Sequence, residues 1–424
     1  MKLAARVTAL AAPVFLLACA VPDGGLFRAE RYRDVHLYGT YADQFLRGEL
    51  PYRDVFVEYP PGAFAVFLPP AVLPADAYNF AFKALMALFG IAALFAVVLL
   101  LVTLGLRGRR LYASAALFAL SPIAVGPISL NTYDLFPAAL TVGALAAILR
   151  KRELLGFGLL GLAVTAKLYP LVLVPPAVAF VWTTIGRRQA AWSVATLAGV
   201  AAAVVLPFAL IAPGGLWDSF QAQSSRGLQI ESLGSAVLLA AHQLGLYEAT
   251  VVRGATGAAT RDLEGSLPDA LATVTSLLQI AAVLAVWLLH LREPRSPERL
   301  VLASTAAVAA FLVFNRFVSP QYLVWLIPLM LLLPGRTGLV AAGLVAASLV
   351  LAQIWFFHYS RVFELERITW LVVARDAALL ALYALLLLRL KTSTPSSEKT
   401  SSQSGLRRNR ARSLAVADGS QRSA

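Results

Sequence analysis

The chain has 424 residues, of which 59% are hydrophobic and only 14% are charged. Soluble domains carry roughly 25% charged residues, so most of the surface of this protein must face lipid. The formal net charge of +13 does not indicate nucleic-acid binding, because the cations lie in short clusters between apolar runs and in the C-terminal tail. The single cysteine excludes a disulfide framework and a cysteine-rich metal site.

The N-terminal segment begins Met1-Lys2-Leu3 and continues as an apolar run that ends at Ala18-Cys19. This pattern is typical of a first membrane helix, and it also resembles a lipoprotein cleavage signal. Either interpretation places the residues after Val21 on the outer face of the membrane. The two interpretations therefore predict the same topology for the rest of the chain.

The apolar runs predict about 11 to 12 membrane spans, because a spanning helix needs about 20 apolar residues. A further apolar stretch, Gly62 to Leu73, is too short and too rich in proline to span, and we interpret it as interfacial or re-entrant. The predicted fold class is all-α, a polytopic transmembrane helical bundle with a polar first outer loop. The predicted spans are 3–21, 78–105, 111–129, 135–149, 154–166, 168–185, 191–212, 269–291, 300–314, 321–334, 338–357 and 368–390.

Six groups of Lys and Arg fall at or after the end of an even-numbered span, so all six lie on one side of the membrane. Positive residues mark the cytoplasmic side, so both termini are predicted to be cytoplasmic. Residues 1–390 form the predicted membrane domain, and 391–424, rich in Ser, Thr and Arg without an apolar period, form a predicted disordered basic tail. The clusters are Arg107, Arg109 and Arg110; Arg150, Lys151 and Arg152; Arg187 and Arg188; Arg292, Arg295 and Arg299; Arg336; and Arg389 with Lys391.

The outer connections collect polar residues that are rare in the rest of the membrane domain. The sharpest is Lys167, which lies between two apolar segments next to Tyr169-Pro170. An ionisable residue at membrane depth costs about 2.5–3.5 kcal/mol on the insertion scale, so it is a site candidate by default. The alternative is a lysine that extends along apolar surface to reach the outer interface.

Four further polar residues lie on the same side and have two interpretations each. Arg226 and Arg316 are lone arginines whose planar donors suit a phosphate, or else they pair with Glu231 or with lipid head groups. Asn131 and Asp134 precede a span that begins at Leu135, so they line a site or cap the helix.

Stiff proline turns enter two of the apolar segments, at Tyr59-Pro60-Pro61 and at Ser319-Pro320-Gln321. Such turns are usually structural, but their neighbours Glu58, Ser319 and Gln321 are placed to line a site. No phosphate-binding Gly-rich loop, Rossmann fingerprint or G-x-S-x-G motif is present, so nucleotide-driven transport has no support.

The histidines give no sign of a metal site. His36, His242 and His358 lack metal-ligand spacing, and the sequence contains no zinc motif. We therefore predict no metal and no cofactor.

An ordered set of motifs resembles glycosyltransferase family 87, the polyprenol-phosphate-mannose-dependent mannosyltransferases with a GT-C membrane fold. The resemblance covers roughly residues 1 to 390. Its motifs are Asp34 four residues before Tyr38; Gly48-Glu49-Leu50-Pro51-Tyr52; Glu58-Tyr59-Pro60-Pro61; Lys167-Leu168-Tyr169-Pro170; Arg226-Gly227-Leu228-Gln229-Ile230-Glu231-Ser232; and Ser319-Pro320-Gln321-Tyr322.

The resemblance implies an integral-membrane transferase that takes a sugar from a polyprenyl phosphate on the outer face. Asp34 matches the catalytic carboxylate of the first outer loop, and the loop has no Asp-x-Asp pair, so we expect metal-independent inversion at the anomeric carbon. Lys167 and Arg226, and with them Arg316, are expected at the donor phosphate. The expected acceptor-binding or site-lining residues are Tyr38, Glu58, Tyr59, Asn131, Asp134, Glu231, Ser319 and Gln321. The partners are the donor, a lipid or glycan acceptor and membrane lipids, without nucleic acid.

Two other classes of protein remain open from the sequence. Broken helices, prolines and a lysine in an apolar stretch also suit a transporter or lipid flippase. Against this, the two halves show no hydropathy repeat, and the polar residues gather on one face rather than at the midplane. A non-catalytic partner in envelope assembly is the other alternative.

Overall fold

The computed structural model describes residues 1–22, 34–254 and 260–392. Within these ranges the chain is almost entirely helical, and the predicted all-α class is confirmed. The predicted tail 391–424 lies outside the described residues, except for its first two residues, which end the last helix. The helices are α1 (Lys2–Val21), α2 (Asp34–Leu46), α3 (Phe64–Ala71), α4 (Tyr78–Thr103), α5 (Gly108–Val125), α6 (Ile128–Asn131), α7 (Leu135–Leu149), α8 (Glu153–Ala166), α9 (Val174–Thr184), α10 (Arg187–Ile211), α11 (Pro213–Ser224), α12 (Leu233–Gln243), α13 (Ser266–His290), α14 (Pro297–Val313), α15 (Leu326–Met330), α16 (Gly335–Phe357), α17 (Tyr359–Phe363) and α18 (Thr369–Thr392).

Six helical segments in the described part of the chain are long and apolar enough to cross a membrane, so the protein is a multi-pass membrane protein. The remaining predicted spans coincide with shorter helices, and two of these, at 168–185 and 321–334, begin as 3₁₀ turns. The predicted short stretch 62–73 is a 3₁₀ turn followed by the eight-residue α3. The six long segments are Lys2–Val21, Ala75–Thr103, Arg187–Ile211, Ser266–His290, Gly335–Phe357 and Thr369–Thr392.

Helices α7 and α14 form the centre of the bundle. Both are apolar around most of their circumference, and nearly all of their residues are buried, as expected of a helix enclosed by others. Helix α7 packs on α4 and α8, and α14 packs on α13 and α18. Helix α10 is the opposite case, because only Ala190 and Ser193 are buried and its apolar residues face outward.

Two glycines let the first outer loop approach its neighbours closely. A Cβ on Gly62 would lie 2.5 Å from the backbone of Thr165 at the end of α8. A Cβ on Gly215, near the start of α11, would lie 1.6 Å from the main-chain oxygen of Tyr52. A side chain has no room at either position, so the loop is docked on α8 and α11 through backbone contacts.

The chain between α11 and α13 forms a small antiparallel sheet, whose first strand precedes α12 and whose other two strands follow it. Its strands are β1 (Leu228–Gln229), β2 (Thr250–Arg253) and β3 (Arg261–Glu264), in the order β1-β3-β2. Leu263 faces both Leu228 and Val251 across the sheet. Together with residues from α16, α17 and α18, these side chains build a second apolar core beside the main one.

The connections fall into two sets whose members contact each other. In the basic set, Arg110 donates a hydrogen bond to the main-chain oxygen of Leu333 at 3.1 Å, and Arg299 donates to that of Leu289 at 2.5 Å. The polar set meets at the other ends of the helices, where it forms the site described next. This arrangement agrees with the alternation of sides expected from the sequence, while the cytoplasmic location of the basic set and of both termini stays a prediction.

Candidate active site

An ion pair between Lys167 and Asp134 lies at the centre of the outer connections. Helix α8 ends at Ala166, and Lys167 follows in extended conformation, which directs the chain into a 3₁₀ turn. The Lys167 Nζ lies 2.5 Å from the Asp134 Oδ1. The same Oδ1 accepts a hydrogen bond of 2.7 Å from the Trp325 indole Nε1. The side chain of Lys167 is 13% exposed and that of Asp134 only 1%.

Aromatic rings enclose the ammonium group of Lys167. It lies 4.5 Å from the ring centre of Tyr133, 5.2 Å from that of Tyr322 and 5.3 Å from that of Trp325. Aromatic faces attract a cation, and more strongly where water is excluded. The ammonium is therefore held inside the protein rather than extended along apolar surface.

Asp134 does not act as the helix cap that its position allows. It precedes α7, but its side chain makes no capping hydrogen bond. Both contacts of its carboxylate are with Lys167 and Trp325. The capping interpretation of Asp134 is therefore wrong, because a charged partner outcompetes the backbone N–H groups for the carboxylate.

Asp34 begins α2, the helix of the first outer loop, and it is partly buried. Burial raises its pKa to about 6, and the nearby carboxylates of Glu58 and Asp134 add to the rise. Lys167 and a hydrogen bond with the Tyr38 hydroxyl lower the pKa by less. The charges of Glu58, Asp134 and Lys167 therefore act on Asp34, and at neutral pH its carboxylate is ionised and able to accept a proton.

Three tyrosine rings connect Asp34 with the enclosure around Lys167. Tyr38 stacks on Phe67 with ring centres 4.4 Å apart and meets the edges or faces of Tyr59 and Tyr133 at 5.4 and 5.5 Å. Tyr59 and Tyr133 are 5.4 Å apart in the same manner. Edge-to-face pairs of this kind fix the orientation of each ring, so the cluster makes a rigid wall between the first loop and Tyr133.

A second ion pair joins Arg226 to Glu58. The Arg226 Nη2 lies 3.0 Å from the Glu58 Oε2, with the side chains 11% and 13% exposed. The guanidinium also lies over the ring of Phe317, 5.1 Å from its centre. Helix α11 holds this part of the loop, because Gln223 donates to the main-chain oxygen of Glu58 at 2.9 Å. The Nε of Arg226 is buried and finds no partner in the described part of the chain.

The family model of glycosyltransferase family 87 matches residues 56–320, which is more than half of the chain. The chain belongs to glycosyltransferase family 87. The match contains both ion pairs, begins after Asp34 and ends before Trp325. No curated protein sequence matches the chain. Among solved structures, the chain is similar to the crystal structure of ArnT from Cupriavidus metallidurans bound to undecaprenyl phosphate, with 14% identity and a TM-score of 0.47 over 91% of this chain and 77% of that chain.

Of the predicted site residues of this family 87 member, seven are brought into one neighbourhood. They share contacts or close electrostatic interactions across the first outer loop, α7, α8 and the segment after α11. Whether they act in catalysis stays a prediction. They are Asp34, Tyr38, Glu58, Tyr59, Asp134, Lys167 and Arg226.

Four other predicted residues make no side-chain hydrogen bond or ion pair with the residues of these ion pairs in the described ranges. Asn131 donates to the main-chain oxygen of Pro127 at 2.8 Å within its own turn. Arg316 makes no side-chain hydrogen bond or ion pair there, although its main-chain oxygen accepts from the Gln229 N–H. Ser319 precedes the 3₁₀ turn without capping it, and Gln321, in that turn, is partly buried. Their roles stay predictions.

Glu231 belongs to a separate buried cluster. Its Oε1 accepts a 3.0 Å hydrogen bond from the Tyr359 hydroxyl, and its main-chain oxygen accepts from the Arg375 Nη2. The Nε of Arg375 lies 3.1 Å from the Asp376 Oδ1. Burial raises the pKa of Glu231 to about 8, although Arg375 and the hydrogen bond from Tyr359 lower it. We call Glu231, Tyr359, Arg375 and Asp376 the buried cluster.

Several residues of both regions were not predicted from the sequence. Tyr133 and Tyr322 adjoin predicted residues, so their neighbours gave a signal, whereas nothing distinguished Trp325 from other aromatic residues of apolar segments. Arg375 and Asp376 carried a usable signal, because ionisable residues inside an apolar run are rare. No three His, Cys, Asp or Glu side chains of the described ranges are grouped closely enough to hold a metal ion.

Proposed function

We propose that this protein transfers a hexose, with mannose the first candidate, from a polyprenyl phosphate to a lipid or glycan acceptor on the extracytoplasmic face. Membership of glycosyltransferase family 87 supports the reaction class. The observation that carries the proposal is that one partly buried carboxylate, Asp34, lies within electrostatic reach of the cation Lys167 and of Glu58, the ion-pair partner of the second cation, Arg226. The choice of mannose rests on the sequence resemblance.

Asp34 is the general base of the proposed reaction. An acceptor hydroxyl is a weak nucleophile, and a carboxylate that takes its proton assists the attack. A new bond forms between the acceptor oxygen and the anomeric carbon of the sugar, while the bond from that carbon to the phosphate oxygen breaks. The single displacement inverts the anomeric centre. With a pKa of about 6, Asp34 is ionised at neutral pH and ready for this role.

Lys167 and Arg226 are the proposed phosphate-binding residues. The electron pair of the breaking bond leaves with the phosphate, which gains negative charge, and fixed cations stabilise that charge without a metal ion. Each cation keeps donors to spare: Lys167 uses one of three ammonium N–H groups on Asp134, and Arg226 binds Glu58 through Nη2. The polyprenyl chain then lies in the bilayer beside the apolar helices.

The experiment that tests the proposal uses purified protein in lipid nanodiscs for transfer and in sealed lipid vesicles for movement of the donor. The protein is incubated with radiolabelled polyprenyl-phosphate-mannose and extracted membrane lipids, beside polyprenyl phosphates that carry glucose or a pentose. The expected result is labelled lipid or glycan product with one donor preferred, and none with Asp34→Asn. Movement of donor across a sealed vesicle without any transfer would replace this proposal by the transporter alternative.

A further inference from the structure

The Asp134 carboxylate has two donors on one oxygen. Its Oδ1 accepts from the Lys167 ammonium at 2.5 Å and from the Trp325 indole at 2.7 Å. We propose that Asp134 and Trp325 are positioning residues, which hold the Lys167 ammonium at the donor-phosphate site without touching the donor themselves. The inference rests on the proposed function, because it assigns to Lys167 the contact with the phosphate.

The exposed fractions of the three side chains differ between the residue proposed to contact the donor and the two residues proposed to position it. Asp134 is 1% exposed, and its second oxygen, Oδ2, is buried and has no partner in the described part of the chain. Trp325 is 3% exposed. Lys167 retains 13% exposure and two unused donors. Of these three side chains, that of Lys167 is therefore the one that a phosphate can reach, because the carboxylate and the indole are almost fully buried.

A lysine needs such a support more than an arginine does. Its ammonium is a point charge on a flexible stem, and holding it in one place costs side-chain entropy. The carboxylate fixes its distance, while the rings of Tyr133 and Tyr322 fix its surroundings from the sides. Misplacing a binding group by about 1 Å is enough to cost about 10²-fold in rate, so the support bears directly on catalysis.

The indole of Trp325 is itself held in a fixed plane. It stacks between Tyr169, with ring centres 4.1 Å apart, and Tyr322, at 4.3 Å. The Tyr169 hydroxyl in turn lies 3.1 Å from the Thr141 hydroxyl of α7, the helix that Asp134 precedes. Stacking on both faces fixes the plane of the indole, so the N–H of Trp325 is directed at Asp134. A phenylalanine at position 325 keeps an aromatic ring in the stack and removes only the donor.

A double-mutant cycle tests whether Asp134 acts through Lys167. Binding of undecaprenyl phosphate is measured for the full chain in nanodiscs and for Asp134→Asn, Lys167→Met and the double variant. We expect Asp134→Asn to weaken binding about 10-fold in the original chain and less than about 2-fold when Lys167 is already methionine. An equal loss in both backgrounds would overturn the inference, because Asp134 would then act on the donor independently of Lys167.

Trp325→Phe gives the same test with the charges intact, and the exposed Trp192→Phe is its matched control. We expect Trp325→Phe to weaken binding about 3- to 10-fold and Trp192→Phe to leave it unchanged. If Asp134→Asn does not fold, this pair decides the question. Wild-type affinity in a folded Trp325→Phe protein contradicts the positioning role of the indole.

A chemical readout separates this inference from the proposed function. The rate at which an amine-reactive reagent labels Lys167 is followed by mass spectrometry without any donor present. We expect Asp134→Asn to raise the rate several-fold, since the ammonium loses its partner, and Trp192→Phe to leave it unchanged. An unchanged labelling rate in Asp134→Asn overturns the inference that Asp134 positions Lys167. A raised rate together with normal donor binding by Lys167→Met keeps that inference and overturns the assignment of Lys167 to the donor phosphate.

Discussion

Two groups of charged residues on the same side of the bundle differ in whether anything can reach them. In the candidate site, Lys167 and Arg226 remain 13% and 11% exposed, and each has donors left over. In the buried cluster, Arg375 is 0% exposed and Glu231 is 1% exposed. Both groups pair an arginine or lysine with a carboxylate, yet only the first leaves its cations available to a ligand.

The difference teaches that burial of charge does not by itself mark an active site. The buried cluster joins the segment after β1 to α17 and α18 through hydrogen bonds from Tyr359 and Arg375. Such a cluster fixes how the elements pack, and losing one member leaves the others uncompensated. The candidate site contains the same kinds of charged pair, but a ligand can reach them, so binding and proton transfer are possible there. The predictions below test this contrast, from the largest expected effect to the smallest.

Asp34→Asn separates catalysis from folding most strongly. The amide cannot accept the acceptor's proton, so turnover is expected to fall by about 10²–10⁴-fold while the protein stays folded. The measurement is the rate of sugar transfer per folded protein. The control is Glu49→Gln, an exposed carboxylate that follows the same helix in the first loop. Near-normal turnover of Asp34→Asn would move the base to another carboxylate of the loop, with Asp43, Asp54 and Glu58 next in line.

Arg375→Met is expected to act on stability instead of on binding. The variant leaves the carboxylate of Asp376 buried without its cation and the main-chain oxygen of Glu231 without its donor, which costs about 3–5 kcal/mol of folding free energy. Thermal unfolding in detergent measures the loss, and the donor affinity of the folded fraction is expected to stay within about 2-fold. Arg389→Met, an exposed arginine of the same helix, serves as the control. Normal stability would mean that the buried cluster does not hold these elements together.

Lys167→Met and Arg226→Met test the two reachable cations. Losing a charge-assisted hydrogen bond costs about 1.5–3 kcal/mol, so each variant is expected to bind the polyprenyl-phosphate donor roughly 10- to 150-fold more weakly. Acceptor binding should change little. Titration of each folded variant with the donor measures the effect. Unchanged donor affinity in both variants would end their assignment to the phosphate.

Glu58→Gln is expected to shift the pH dependence of transfer. Because the pKa of Asp34 is raised to about 6, its neutral form persists to higher pH than in a free aspartate, and activity should rise with pH through about 6. Burial is the largest cause of the shift and Glu58 the next, so removing the Glu58 charge should move the acid limb to lower pH. Asp54→Asn, an exposed carboxylate of the same loop, should leave the limb in place. Profiles of kcat/KM between about pH 5 and 8 decide the outcome.

The last variants test the side of the membrane on which the site lies, and they are expected to change activity and stability least. In a variant with Cys19 replaced by serine, single cysteines at Glu49 and Ser404 should react oppositely with an impermeant maleimide in intact cells. The basic clusters of the even connections predict that Glu49 is outside and Ser404 inside. Labelling of both from outside would overturn the orientation of the site and of the termini.

The bundle was predictable from the sequence because apolar runs report spans directly. Each predicted span coincides with a helix, including short ones such as α7 and α8, since a run of apolar residues between polar connections has few other structures available in lipid. The basic clusters all follow even-numbered spans, and this pattern indicated which connections lie on the same side of the membrane and can meet. No pairing of individual residues was needed for either inference.

The internal arrangement of the site was less predictable. The bond between Trp325 and Asp134 joins residues 191 positions apart, and no local pattern encodes such a contact. The sequence left open whether Asp134 caps a helix or lines a site, and the structure gives its carboxylate to Lys167 and Trp325. Glu231 lies five residues after Arg226, but the chain turns into the sheet between them and carries Glu231 into the second core.

The anchoring of the first outer loop on α11 also sets when the site can exist during synthesis. The main-chain oxygens of Val57 and Glu58 accept hydrogen bonds from Ser219 and Gln223, at sequence separations of 162 and 165 residues. A ribosome adding about 5–20 residues per second takes roughly 10 to 30 s to supply these donors. Through that interval the loop has been made and its partners have not, so the newborn chain must insert several spans into the bilayer before Glu58 has a fixed place.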